Sequence, residues 1–359
     1  MKIVMIVGLD FAGSFWNLYN VVKKYTNHEV NYIWSKKHKW KYPYMNEKYR
    51  YPYMKYKPKD DTKYIYWKKH GLPIHDSKLL EEMLDIIYGA DVIIIKEDLD
   101  WIPAMRLDEN KLKKKMVILY FTGGECRIKK ARFGNFKYAK RFSDVRWAVN
   151  TPDLLQLMPK KYHTTWIPIV QPIDEYREKY NFKKENPPLI VHCPASFYSR
   201  SKNAIQACLS KLRNSNGIIW KVTDKGKKRK RKGSIYEFRA DIFNRVSNDE
   251  CLKRKAPASI FFDRFRWDMY ANNCIESAGF ESVVLNHQSD FVTKYVEKYA
   301  KMKLPFINVN NEEDLCSKIV YLLRHPDEMI QRGKQSYKFV KKLHDGRYAI
   351  EKLMEVINK

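Results

Sequence analysis

Short apolar runs of strand length alternate with stretches of helical spacing along this chain, and the alternation occurs twice. In the first half Lys2–Val7, Val30–Ile33, Val92–Ile95, Met116–Phe121, Trp147–Asn150 and Trp166–Pro168 read as strands, with helices from Ser14 onward and over Leu79–Tyr88. A charged connection bounded by prolines follows, and the pattern restarts. Leu189–His192, Gly217–Val222, Ile260–Asp263, Val283–Asn286 and Phe306–Val309 read as strands. Ser201–Leu212, Tyr236–Val246, Glu312–Arg324, Pro326–Leu343 and Arg347–Asn358 read as helices. Strands interleaved with helices build parallel sheets, because the helices are the crossovers. The fold class expected is therefore α/β, with two doubly wound Rossmann-like domains facing a central cleft that would hold ligands. The boundaries expected are 1–169 for the first domain, with an insert at 34–70, 170–186 for a linker and 187–344 for the second domain. A helix within 345–359 is expected to return to the first domain.

The chain has 359 residues, of which 44% are hydrophobic, enough for two cored domains and too many for a disordered protein. Its six cysteines, Cys126, Cys193, Cys208, Cys251, Cys274 and Cys316, form no C-x-x-C pair. Most lie in apolar runs, as buried thiols do. This argues for a reducing compartment rather than zinc or disulfide chemistry. No apolar run approaches a membrane span, and the apolar run at the N-terminus is too short for a secretory signal. The expectation is a soluble cytoplasmic protein, in a host cytoplasm if the source is viral.

A formal net charge of +28 calls for a polyanionic partner or surface: nucleic acid, anionic lipid or anionic glycan. A lysine-rich proteome bias is the plainer explanation of the same number. Two segments concentrate the charge. Trp34–His70 carries twelve Lys or Arg against three acids, threaded with Trp40, Tyr44, Tyr53 and other rings. Within it Tyr42-Pro-Tyr-Met45 recurs as Tyr51-Pro-Tyr-Met54, a single duplication rather than a solenoid. The second is the basic loop from Lys225 to Gly233.

Four stretches carry chemistry. Phe261–Glu276 runs from an apolar strand through a short loop into a helix, and brings Asp268 and Glu276 to a strand's carboxyl end. Open α/β sheets bind ligands there, and a helix N-terminus favours anions such as a diphosphate. Val191–Ser196 followed by Arg200 and Lys202 repeats that strand–loop–helix arrangement with cations. Gly8 and Gly13 bracket a loop that contains Asp10 and ends at a helix start; the spacing lacks the middle glycine of a dinucleotide fingerprint. Gly123-Gly124-Glu125-Cys126-Arg127 ends another strand, where glycines permit close backbone approach. Lys96 and Glu97 follow a strand and are expected to face the cleft.

These stretches, with Thr151–Leu155, Trp166–Pro168 and Pro172–Asp174, resemble retaining glycosyltransferases of the GT-B fold that use nucleotide-sugar donors, of the group 1, family 4 kind. The likeness covers nearly the whole chain at low identity. Ala271 stands where a family member has glycine, and Glu281 and Val283 where glycine and proline are common. Asp268 takes a position that is Glu in many members and Gly in others.

The resemblance implies a hexosyl- or pentosyltransferase with a nucleotide sugar, a UDP-sugar, as substrate and no bound cofactor or metal. Glu276 would bind the donor ribose, a bidentate acid–diol contact that the hydrogen-bond inventory also supports. Lys202 would stabilise the leaving diphosphate, as fixed cations do for developing charge, with Arg200 and Ser196 beside it. Asp268 would contact donor-sugar hydroxyls, or simply cap the helix. Asn272 and Asn273 would touch phosphate or cap the same helix. Gly8, Gly13, Gly123 and Gly124 would line the donor, and Asp10 would reach the reacting groups. Arg127 would bind an acceptor anion or pair with Glu125. Lys96, Glu97, Trp40, Tyr44 and Tyr53 would serve the acceptor. Lysines neutralise phosphates and rings stack on bases or lie in a membrane interface. The acceptor expected is a hydroxymethylated base in DNA, the alternative a lipid or cell-surface glycan precursor on an anionic membrane. A third reading is a non-catalytic nucleic-acid-binding protein on the same scaffold.

Overall fold

The computed structural model describes residues 1–8, 10, 13–34, 77–96, 107–123, 127, 139–140, 142–193, 200–215, 220–222, 227–229, 238–244, 246–265 and 268–359. The chain divides into two compact units, Met1–Val170 with Gly346–Lys359, and Gln171–Asp345.

The first unit is built on strands β1 (Lys2–Val7), β2 (Glu29–Trp34), β3 (Val92–Lys96), β4 (Met116–Phe121), β5 (Asp144–Val149) and β6 (Thr165–Trp166). They form one sheet in the order β2-β1-β3-β4-β5-β6, and every pairing is parallel. Helices α1 (Ser14–Tyr25), α2 (Ser77–Gly89), α3 (Glu109–Lys113) and α11 (Arg347–Asn358) belong to this unit. Ala349, Leu353 and Val356 of α11 join the core formed by Leu18 and Val22 of α1 and Ile94 of β3. Burying one such side chain is worth about 1.5–3 kcal/mol, so the last helix is held by its apolar stripe. Gly346 starts it at φ 109, and a Cβ there would lie 2.5 Å from Val21 Cγ1.

The second unit holds β7 (Leu189–His192), β10 (Arg239–Ile242), β11 (Ile260–Phe262), β12 (Val283–Asn286) and β13 (Ile307–Asn308). The sheet order is β10-β7-β11-β12-β13, again parallel throughout. Its helices are α4 (Ile173–Lys179), α5 (Arg200–Ser215), α6 (Asn248–Lys255), α7 (Asn272–Gly279), α8 (Asp290–Ala300), α9 (Glu312–Arg324) and α10 (Pro326–His344). In each sheet the chain starts in the middle, adds a strand on one side and then turns to the other. That order places a topological switch point between β1 and β3 and another between β7 and β11, the positions where open α/β sheets hold ligands.

Two local expectations are corrected. The helix expected over Tyr236–Val246 is strand β10. Phe238 and Ala240 are buried while Arg239 and Asp241 are only half-buried, a period of two that fits a strand. The true helix, α6, starts after Ser247, whose hydroxyl accepts from Glu250 N at 3.2 Å. The sequence Ser247-Asn-Asp-Glu250 is a capping-box pattern that announced it. The described part of the strand expected over Gly217–Val222 does not join the parallel sheet: β8 (Trp220–Val222) pairs antiparallel with β9 (Lys227–Arg229), which lies in the basic segment, as a separate ribbon.

Candidate functional site

The carboxyl ends of β7 and β11 meet at the second unit's switch point. His192 closes β7, and its Nδ1 lies 2.8 Å from the Phe262 carbonyl oxygen. That contact assigns the proton to Nδ1, so Nε2 is an acceptor. Nε2 is buried with no hydrogen-bond partner among the described residues. Burial pushes the imidazole pKa down to about 4, against the opposing pull of the Phe262 carbonyl and Asp263. Asp263, at the end of β11, is buried, which raises its carboxyl; Arg264, with Nε at 2.8 Å, and His192 outweigh this and hold it below the usual range.

Helix α7 opens just beyond. Its N-cap, Ala271, supplies no side-chain bond. The two asparagines do not cap it either. Asn272 Oδ1 accepts from Gln171 Nε2 at 2.5 Å, while Asn273 Nδ2 donates to the Cys193 carbonyl at 3.2 Å. Asn273 thereby ties the first residue after β7 to the helix that follows β11, across the switch point. Glu276 sits one turn further, 4% exposed. Its Oε2 is 2.5 Å from Lys255 Nζ. The same ammonium donates to Asn273 Oδ1 at 2.6 Å. Lys255 is fully buried, which works to lower its pKa, yet Cys251 and Glu276 hold it well above its ordinary value. The Cys251 and Cys193 sulfurs lie 3.4 Å apart beside this group.

Lys255 is the residue that sequence reasoning missed. It ends a run of basic residues on an amphipathic helix, and Lys253, two positions earlier, is exposed. Its spacing of three from Leu252 and four from Cys251 is what marks it as facing inward.

The other candidates in this unit fall as follows. Lys202 lies in the first turn of α5 and is half-buried, with its charge acting on His192. Arg200 opens that helix; its side chain, like Ser196, lies outside the described residues. Asp268 is 62% exposed at its side chain and faces His287 Nε2 at 3.3 Å. Its carbonyl accepts from Ser289 N at 3.1 Å. It therefore does not cap α7, and it is not joined to the Glu276 cluster by any described bond. Glu281, where a glycine is usual in the resembling family, takes the left-handed conformation at φ 62 and is held by Arg177 at 2.9 Å.

At the first unit's switch point Asp10 is fully buried. Oδ1 accepts from Phe15 N at 3.2 Å and Lys96 Nζ at 2.8 Å; Oδ2 accepts from Trp16 N at 2.8 Å and Tyr32 OH at 3.2 Å. Asp10, expected to reach the reacting groups, and Lys96, expected to serve the acceptor, are thus paired with each other, and Asp10 also holds the start of α1. Gly8 follows β1, and a Cβ there would meet nothing within 4 Å. Gly13 caps α1 at φ 61. Gly123 adopts φ 107 with the Arg127 guanidinium in the space of a Cβ. Arg127 pairs with Asp153. Glu97, Gly124, Glu125, Trp40, Tyr44 and Tyr53 lie outside the described residues.

No known family profile matches the sequence, and no curated protein matches it. Solved structures do. An α-glucosyltransferase in complex with UDP-glucose and DNA containing an abasic site superimposes with a TM-score of 0.65, at 11% identity over 99% of both chains. The chain has the GT-B fold. A glycosyltransferase from Rickettsia africae shares it with a TM-score of 0.64, at 12% identity over 99% of this chain and 97% of that one. Anabaena Alr3699/HepE in complex with UDP gives 0.58, at 9% identity over all of both chains. The likeness covers the sequence of both units.

Proposed function

We propose that this chain is a glycosyltransferase that moves a sugar from a nucleotide-sugar donor to a hydroxyl acceptor, with retention. The observation that carries the reading is the cluster at the carboxyl ends of β7 and β11. There a buried carboxylate, Glu276, lies one turn inside a helix whose N-terminus has no side-chain cap. An uncapped helix N-terminus suits a diphosphate, and a fixed carboxylate suits a ribose diol. Lys202, after the neighbouring strand β7, supplies positive charge for the leaving diphosphate. UDP or UDP-glucose occupies two of the structural neighbours, which supports a UDP-sugar as the donor.

The acceptor is a hydroxymethylated base in DNA. A net charge of +28, with basic segments in both halves of the sequence, supports a polyanion. One structural neighbour was solved with DNA. The test is a thermal-shift screen of nucleotide sugars, repeated with duplex DNA. It is followed by mass analysis of nucleosides from a hydroxymethylcytosine duplex incubated with the stabilising donor. A hexose or pentose added to the modified nucleoside, and lost in Glu276→Ala, supports the reading. Transfer to a lipid acceptor in anionic vesicles with none to DNA moves the acceptor to the membrane. Nucleic-acid binding without transfer or hydrolysis of any nucleotide sugar leaves only the non-catalytic reading.

A further inference from the structure

Lys255 presents a problem of charge burial. An ammonium shut off from water is costly unless its charge and protons find partners. Here Glu276 Oε2 takes one proton at 2.5 Å and Asn273 Oδ1 another at 2.6 Å. Both partners belong to the first turns of α7. Side chains on a helix lean toward its N-terminus. Lys255, at the last position of α6, therefore reaches back toward the carboxyl ends of the strands, where Cys193 and Asn273 meet.

The effect on Glu276 is asymmetric. One carboxylate oxygen, Oε2, is pinned by the ammonium, and Oε1 takes no part in that bond. A glutamate normally has three side-chain torsions to settle before it can grip a diol. This one is already settled. Asn273 is held by the same ammonium while it bonds the Cys193 carbonyl, so carboxylate, helix start and the end of β7 share one fixed point.

We propose that Lys255 is the positioning residue for donor recognition: it fixes the Glu276 carboxylate with one oxygen turned to the nucleotide ribose, and so sets the protein's preference for a ribose diol. The inference rests on the reading of Glu276 as the ribose ligand. Its consequence is specific, because Lys255 governs discrimination at the sugar ring of the nucleotide and not affinity in general.

The test compares binding of UDP and 2′,3′-dideoxy-UDP by calorimetry. The proteins are the full-length wild type, Glu276→Gln, Lys255→Met and the double variant. Wild type is expected to prefer UDP. Glu276→Gln should erase that preference. Lys255→Met should reduce it about 10-fold, the worth of a hydrogen bond to a charged group, and the double variant should be no less selective than Glu276→Gln alone. If Lys255→Met weakens both nucleotides equally and keeps the preference, Lys255 is only a structural pin and the inference falls. If Glu276→Gln keeps the preference, or wild type binds neither nucleotide, the reading of Glu276 falls first. Should Lys255→Met fail to fold, Lys255→Gln retains a neutral donor and is expected to lose selectivity by several-fold; unchanged selectivity there overturns the inference as well.

Discussion

Lys96 Nζ lies 2.8 Å from Asp10 Oδ1, and neither side chain is more than 2% exposed. The pair bridges β3 to the loop after β1 and also holds the first turn of α1 through Phe15 N and Trp16 N. A charge in such a place is a stability element. Asp10→Asn removes the carboxylate that the buried Lys96 ammonium faces, which costs about 3–5 kcal/mol. Urea unfolding should show that loss, and the double variant Asp10→Asn/Lys96→Met should lose less than Asp10→Asn alone. Unchanged stability in the single variant would contradict the assignment.

His192 gives the molecule a stability slope in acid. Its folded-state pKa, lowered to about 4 by burial, lies below the ordinary 6.5. The unfolded chain therefore binds a proton at a pH where the folded one does not. The contribution is complete above about pH 6.5 and is lost as pH falls toward 4, by about 1.4 kcal/mol per unit, or about 3 kcal/mol in all. His192→Phe keeps a ring against Phe262 and removes the titration. The difference in unfolding free energy between wild type and variant should shift by that amount across this window. A flat difference would mean that the ring reaches solvent.

The strands were legible because the residues of β1, β3, β4 and β12 are mostly apolar on both faces, the pattern of strands covered on both sides as in a parallel sheet. Strand β10 was not, because its alternation is only four residues long and its arginine and aspartate mimic a helix surface. The site divides along the same line. Glu276 and the asparagines stand at a strand-to-helix junction, a place that sequence spacing identifies. Lys255 and the Asp10–Lys96 pair depend on contacts 21 and 86 residues apart, and no local pattern distinguishes a lysine that turns inward from one that turns out. Asp10 in particular looks like a loop acid until the donors around it are seen.

Gly333 lets α10 lie against the turn between α7 and β12. A Cβ at this position would run into the backbone carbonyl oxygen of Glu281, a residue in the left-handed conformation whose side chain Arg177 holds at 2.9 Å. Gly333→Ala should therefore destabilise despite alanine's better helix propensity, by about 1–3 kcal/mol. Thermal unfolding should fall by about 2–4 °C for each kcal/mol lost. A rise in the midpoint would show that α10 can shift to admit the methyl.

If the proposed reaction is right, donor chemistry and acceptor grip depend on different cations. Lys202, at the start of α5, is expected to act on the leaving diphosphate, so Lys202→Ala should lower kcat by about 100-fold or more and leave DNA affinity nearly unchanged. Reversal of Lys36, Lys37 and Lys39 to glutamate should do the opposite, raising the KM for duplex acceptor with little change in kcat. Each phosphate contact removed also flattens the salt dependence of binding, by close to one unit of slope per contact. Titration of DNA binding across a salt series, alongside steady-state kinetics, separates the two. Variants that change kcat and KM together in both sets would show that donor and acceptor share one electrostatic site, and the division of labour would have to be abandoned.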